Sequence, residues 1–304
     1  MTDQTSASPD FALDDLALRR FYNRAAAHYR EHAWFAREVS QRMQEKLDFV
    51  HFTPQRILDI GCGTGDDLAA LQQRYPQADL LACDSSVAMV QHGRGERGFG
   101  DKMKRLFSAF QSGPQTHWLS ADARQLPLPS RHCSMVWSNQ MLHCLADPTS
   151  ALKEMHRVLE VGGLLMFSTL GPDSLKELRR VLPAHRVQPF IDMHDLGDAL
   201  VNAGFSDPVM DMEMLTVTYS HPDSLLRDLR QIGAQNTTQQ RPKGLGGKAV
   251  WQHARAGLDT LRQSRSDQHI PLTLEIVYGH AWKPEPKTLE DGRAVMQFHK
   301  QRPQ

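Results

Sequence analysis

The stretch ILDIGCGTGDDL, residues 57–68, decides the fold of this chain. It begins with apolar, β-prone residues and runs into three glycines spaced G-x-G-x-G: Gly61, Gly63 and Gly65. Asp59 lies before them, and Asp66 and Asp67 follow. A strand that ends in bare glycines presents its backbone to a close-approaching ligand. Outward from it, short apolar runs alternate with helix-like stretches: RILDI then DLAALQQRY, LLACD then SVAMVQHGR, HWLSAD, SMVWSNQ then PTSALKEMHRVL, GLLMFSTL then DSLKELRRVL. Strands alternating with helices predict βαβ units and an α/β, doubly wound parallel sheet. In such a sheet the ligand sits at the carboxyl ends of the strands, beside the loop after the first one. RILDI is that strand.

The flanking segments extend this core into one domain spanning 11–285. Residues 1–10 form a polar tail, and 11–50 carry apolar residues at mixed three and four spacings with almost no glycine or proline, predicting one or two helices that cap the core. The core itself covers 54–220. It includes the helix MHDLGDALVNAGF, closed by Gly204, and the strand VMDMEMLTVTY. Residues 221–268 read as a helical insertion, 271–283 as a last strand, and 284–304 as a polar tail.

Composition narrows the function classes. The 35 basic and 35 acidic residues cancel, so no global field draws the chain to nucleic acid or an anionic membrane. The N-terminus MTDQTSASPD lacks secretory or transit character, and no apolar run approaches the ~20 residues that cross a bilayer. Four scattered cysteines, without C-x-x-C spacing, suggest neither zinc nor disulfides. His28 and His32, one helical turn apart, have no third ligand nearby, so no metal is expected. The expectation is a soluble cytoplasmic protein.

The carboxylates around the glycines choose the ligand. A dinucleotide would press its pyrophosphate against Asp59 and the Asp66–Asp67 pair, and its usual spacing is G-x-G-x-x-G. A ligand with a cationic end and no phosphate is attracted instead. LLACD ends the next strand at Asp84, where a carboxylate can accept from both ribose hydroxyls. S-adenosylmethionine (SAM) has an ammonium, a sulfonium and a ribose, and is the expected cofactor. Residues 54–220, with DIGCGTGDD, LACDSS and LSADARQLPLPSRHCSMVWSNQMLHCLADPTSALKEMHRVLEVGGLLMFSTL, resemble the class I, seven-stranded, Rossmann-like SAM-dependent methyltransferases. The resemblance implies that Gly61, Gly63 and Gly65 line the methionine moiety, Asp59 meets the amino group, and Asp84 and Ser85 hold the ribose. It also implies that Asp122 and Ala123 read the adenine, and that Ser138 and Asn139 sit beside the sulfonium.

The N-terminal FYNRAAAHY, FSTLGPDSLKELR, the insertion LRQIGAQNTTQQRPKGLGGK and the closing LTLEIVYGHAWK are similar to the malonyl-acyl-carrier-protein O-methyltransferases, which mask a free carboxylate early in biotin synthesis. That resemblance implies a carboxylate acceptor, already ionised at neutral pH because its ordinary pKa is near ~4. It needs an anchor and no base, and a bidentate arginine is the natural anchor. Arg179, Arg180 and Arg186 follow the fifth strand, with Arg179 preferred. Tyr29 matches the family tyrosine expected to fold over the cofactor and meet the acceptor. An acidic acyl carrier protein would be steered by Arg227, Arg230, Arg241, Lys243 and Lys248, beside the adaptable Gly244, Gly246 and Gly247. Two other readings stay open on the residues. One is a methyltransferase of another small molecule, such as a quinone precursor, which would use a base at Asn139 or His143. The other is a methyltransferase-like assembly factor for respiratory complexes.

Overall fold

The computed structural model describes residues 11–95, 115–231, 236–242, 244 and 247–286. Seven strands form one sheet: β1 (Arg56–Ile60), β2 (Asp79–Asp84), β3 (Thr116–Ser120), β4 (Cys133–Ser138), β5 (Leu159–Leu170), β6 (Ser206–Tyr219) and β7 (Ile270–Trp282), in the order β3-β2-β1-β4-β5-β7-β6. The chain begins in the middle of the sheet, winds outward to β3, and returns to β4 on the other side of β1. The carboxyl ends of β1 and β4 therefore diverge into a crevice at the switch point. β1 to β5 pair in parallel, whereas β7 inserts antiparallel between β5 and β6.

β1 is buried at every residue after Arg56, as a parallel strand covered by helices on both faces must be. On one face Val39, Met43, Leu71, Trp137 and Tyr278 pack together. On the other, Leu152, Met155 and Val158 of helix Thr149–Val158 meet Val136, Phe167 and Leu200. That helix carries its apolar residues at three- and four-residue spacings, so one stripe faces the sheet. Each such large aliphatic side chain contributes about 1.5–3 kcal/mol on burial.

The N-terminal cap consists of three helices, Asp15–Ala25, Tyr29–His32 and Trp34–Lys46, followed by a 3-10 turn at Leu47–Phe49. The expected one or two helices are thus interrupted after Ala25, and the break turns Tyr29 toward the glycine loop. The Asp14 side chain caps the first helix by accepting from the Ala17 N–H at 3.0 Å. Its backbone N–H donates to the Thr237 carbonyl (2.8 Å), and the Gln239 N–H donates to the Ala12 carbonyl (2.8 Å). The cap is therefore tied to the insertion more than 200 residues later, and Arg241 adds an ion pair to Asp14 at 2.8 Å. The insertion contributes helices Pro222–Gln231 and Lys248–Gln263. Lys243 and Gly246 lie outside the described residues, as do residues 1–10 and 287–304. Among the described residues no helix is long and apolar enough to cross a membrane.

The glycine loop holds left-handed backbone at all three positions, with φ of +77°, +53° and +75° at Gly61, Gly63 and Gly65. A Cβ at Gly65 would lie 2.4 Å from Trp118 Cη2 and 2.7 Å from Leu68 Cδ1, whereas one at Gly63 meets the Tyr29 ring at ordinary contact distance, 3.5 Å from Cε1 and 4.0 Å from Cδ1. Both alanine substitutions carry the left-handed penalty, and only Gly65→Ala adds overpacking, worth about 1–3 kcal/mol. Denaturant titration should show Gly65→Ala less stable than Gly63→Ala by that margin; equal midpoints would overturn this assignment.

Candidate active site

A narrow cleft opens where β1 and β4 part. Its floor includes Gly61 and Gly63 after β1, Asp84 and Ser85 after β2, and Asp122 and Ala123 after β3; Asn139 and Gln140 after β4 complete it. The helix Asp15–Ala25 closes over the top with Asp15, Arg19 and Tyr22, and Tyr29 leans across the glycine turn. Of the residues expected to bind the cofactor, the structure thus brings seven together around one space. Asp59, Gly65 and Ser138 do not line it. Asp59 and Ser138 are buried behind the strand ends, and Gly65 is a packing position beneath Trp118.

Asp84 organises the cleft. One carboxylate oxygen accepts the Gly63 N–H at 2.9 Å and the other the Ser86 N–H at 2.7 Å. Each oxygen keeps a lone pair for a ligand hydroxyl. Burial raises its carboxyl above the ordinary carboxylate range, against those two hydrogen bonds. Asp59 is raised further, by burial and then by Asp67 and Asp84, and its Oδ2 has no hydrogen-bond partner. Asp122 behaves oppositely. Arg124 donates to both of its oxygens (3.0 Å from Nε, 2.7 Å from Nη2) and holds its carboxyl below the ordinary range. Arg124 also bridges to Asp15 at 2.6 Å, fastening the first helix to the loop after β3.

Asp66 and Asp67, which in sequence seemed to face the ligand, point elsewhere. Arg30 pairs with Asp66 at 2.8 Å and donates to the Thr64 carbonyl at 2.8 Å, bracing the outside of the turn. Asp67 is buried, accepting from Trp137 Nε1 at 2.7 Å and Asn139 Nδ2 at 3.1 Å. Rejection of a pyrophosphate therefore rests on Asp59 and Asp84 alone. Asn139 has no free amide: its Nδ2 also donates to the Ala36 carbonyl and its Oδ1 accepts from Ser168.

A second, larger cavity adjoins the cleft and shares Leu18, Tyr22, Tyr29, Gln140 and Cys144 with it. Arg186 lines this cavity, its guanidinium 5.9 Å over the Trp251 ring, and its buried Nε has no hydrogen-bond partner among the described residues. Arg179, the preferred acceptor anchor, does not line either space. Its guanidinium donates to the carbonyls of Pro172 (2.7 Å), Ser174 (2.5 Å) and Gln188 (3.2 Å), pinning the loop after β5. Arg180 likewise lines neither. A guanidinium holding three carbonyls has little capacity left for a further ligand. Sequence reasoning also missed Gln140. It sits at φ 55°, its N–H donates to the Ser168 backbone and hydroxyl oxygens, and its side chain reaches both cavities. Its only sequence signal is its place one residue after Asn139.

The residues present fit SAM. Asp59 and Asp84 are buried carboxylates with no ion-pair partner among the described residues, Asp84 offers lone pairs to a diol, and Gly61 and Gly63 leave the backbone bare. A methyltransferase-domain family model matches residues 58–167. The fold matches the YcgJ protein of Bacillus subtilis with a TM-score of 0.55 at 15% identity, covering 81% of this chain and 99% of that one. The chain is a SAM-dependent methyltransferase of class I. Malonyl-acyl-carrier-protein O-methyltransferases of Laribacter hongkongensis and Gallionella capsiferriformans are 44% and 42% identical to it. They cover 96% and 94% of this chain, and the matches span 98% and 97% of those proteins. The chain belongs to the malonyl-acyl-carrier-protein O-methyltransferase family.

The raised carboxyls set a pH dependence. A cationic ligand favours the ionised forms of Asp59 and Asp84, so its binding expels whatever protons they hold. SAM affinity should fall as pH drops from neutrality toward the ordinary carboxylate range near ~4, by up to about tenfold per pH unit for each group. Calorimetry in buffers of different ionisation heat should detect proton release on SAM binding. Affinity independent of pH between neutrality and mild acidity would refute the role of these carboxylates.

Proposed function

We propose that this chain transfers the SAM methyl group to the free carboxylate of a malonyl thioester on acyl carrier protein, a step of biotin synthesis, in the cytoplasm. The observation that carries the reading is the larger cavity adjoining the cofactor cleft, which is lined by Arg186, stacked over Trp251 at 5.9 Å with no ion-pair partner among the described residues, and by no side chain suited to act as a base. His143 lines this cavity, but burial depresses its pKa to about 4. It is neutral at physiological pH and too weak to deprotonate a phenol or a carbon acid. A carboxylate acceptor needs no such base, which weighs against the quinone-precursor reading.

SAM supplies an electrophilic methyl group on a sulfonium. The residues of the chain position what attacks it. Asp84 and Ser85 hold the ribose, Gly61 and Gly63 admit the methionine portion, and Asp122 with Ala123 bound the adenine. Asp59 acts from behind the turn, as a buried charge toward the ammonium. Arg186 draws the acceptor carboxylate into the larger cavity. Burial keeps the Tyr22 and Tyr29 hydroxyls protonated well beyond neutrality, so at the shared wall they act as donors. Tyr22 OH already lies 3.4 Å from Cys144 Sγ, which leaves Tyr29 as the donor to the acceptor oxygen. The cap would exclude water from the bound reactants, which strengthens these electrostatic effects.

Two arginine variants test this directly, with radiolabelled SAM and malonyl-acyl carrier protein as substrates. Arg186→Gln should lower kcat/KM about 10- to 100-fold with SAM binding intact, the loss expected for one charge-assisted contact. Arg179→Gln should act chiefly on stability, by releasing the loop after β5. Labelling of no malonyl thioester by the wild-type chain would remove the acceptor assignment and favour the assembly-factor reading; the reverse ranking of the two variants would restore Arg179 as the anchor.

A further inference from the structure

Helix Leu68–Arg74 begins after Asp67, a residue type that ordinarily caps a helix by accepting one of its first free N–H groups. Asp67 makes no such bond. Its side chain is buried and turns toward donors from two other parts of the chain. Oδ2 accepts from Trp137 Nε1 at 2.7 Å and from Asn139 Nδ2 at 3.1 Å, at and just after the end of β4. The carboxylate also accepts from the Ser40 hydroxyl of the cap helix Trp34–Lys46. Asn139 completes the link, because its Nδ2 donates to the Ala36 carbonyl of that helix at 2.9 Å while its Oδ1 accepts from Ser168 of β5 at 2.9 Å. A buried carboxylate destabilises a fold unless hydrogen bonds compensate it. A purely local role for Asp67 would use the helix N–H groups beside it, and a purely space-filling one would use an apolar side chain. The three donors instead join the end of β4, the glycine loop and the cap at one point.

That point lies between the two compartments. Asn139 lines the cofactor cleft, and Ala33, Trp34, Phe35 and Ala36, at the start of the cap helix, line the larger cavity. We propose that Asp67 is a positioning residue for methyl transfer, fixing this wall of the larger cavity against the cofactor cleft through Ser40 and Asn139. The inference rests on the larger cavity as the acceptor's compartment and deepens that reading. Asp67 lines neither space and so touches neither reactant. Val39 and Met43 hold the cap helix on the sheet by apolar packing, which is non-directional and leaves a slide or rotation of the helix weakly opposed. The bonds at Ala36 and Ser40 are directional and oppose both motions. Methyl transfer needs that precision, because a displacement of about 1 Å between reacting groups can lower a rate about 100-fold.

The test uses the full chain with radiolabelled SAM and malonyl-acyl carrier protein. Asp67→Ala should lower kcat about 10- to 100-fold, while the calorimetric Kd for SAM changes by less than about threefold. Asp67→Asn keeps an oxygen for Trp137 and Asn139 and offers its amide to the Ser40 hydroxyl, so it should recover most of the lost rate. Asn139→Ala should lower kcat to a similar extent, and combining it with Asp67→Ala should lower kcat no further, since both cut the same link. Losses that multiply in the double variant, or a fall in the thermal midpoint with kcat intact, would overturn the proposal. Where Asp67→Ala does not fold, Ser40→Ala severs only the tie to the cap helix and should show the same split between kcat and SAM affinity. Hydrogen exchange of the SAM-bound chain reads the link without any acceptor: amides at the start of the cap helix should exchange about tenfold faster in Asp67→Ala or Ser40→Ala, with β1 and β2 unchanged. Unchanged exchange there would overturn the positioning role. Labelling of no malonyl thioester by the wild-type chain would remove the acceptor reading alone, and the exchange rates would still decide the role of Asp67.

Discussion

The hydrogen bond from the Gly63 N–H to Asp84 is the interaction on which the cleft depends. It joins the loop after β1 to the tip of β2 and can form only because the backbone turns left-handed at Gly61, Gly63 and Gly65. Around that tie the neighbours have little freedom. Met141 occupies the place of a Cβ at Gly61, and Trp118 occupies that at Gly65. The same tie brings a buried carboxylate to the ligand space with two backbone donors already attached. Asp84 can therefore stay fixed in place while its remaining lone pairs face outward.

The carboxylates near this turn divide by partner rather than by position in sequence. Asp66 and Asp67 are answered by Arg30, Trp137 and Asn139, and so serve to brace the loop and bury β4. Among the described residues Asp59 and Asp84 have no ion-pair partner, and burial raises their pKa values. A protein that keeps buried carboxylates without counter-charges accepts a stability penalty; a cationic cofactor relieves it. The fold thus stores at its switch point an electrostatic deficit of the sign that SAM corrects.

The cap converts this open crevice into two joined compartments. Its first helix is fastened at its N-terminal end twice, to the adenine-side loop through Asp15 and Arg124 and to the insertion through Asp14, Arg241 and the Leu13–Thr238 bridge. Both cavities are therefore roofed by the same segment, and the residues they share, Tyr22 and Tyr29 among them, come from it or from the stretch after β4. The two compartments meet across that wall.

Periodicity and glycine spacing by themselves determined the doubly wound sheet and the position of the ligand turn, because each strand end delivers the residues that immediately follow it in the chain. Gly61, Gly63 and Asp84 were legible for that reason, whereas Ser85, Asp122, Ala123 and Asn139 were placed on the floor by the resemblance to the class I methyltransferases. What only the tertiary structure decided is which polar groups are already satisfied. Arg179 and Arg186 are equivalent in sequence, yet three carbonyls claim the first and none claims the Nε of the second. Asp66, Asp67 and Asn139 looked available and are engaged across more than 30 residues of chain. Gln140 carries no motif and is placed by Ser168 of a neighbouring strand. Hydrogen-bond partners at long sequence separation leave no local pattern, and they determine which charges are left for a ligand.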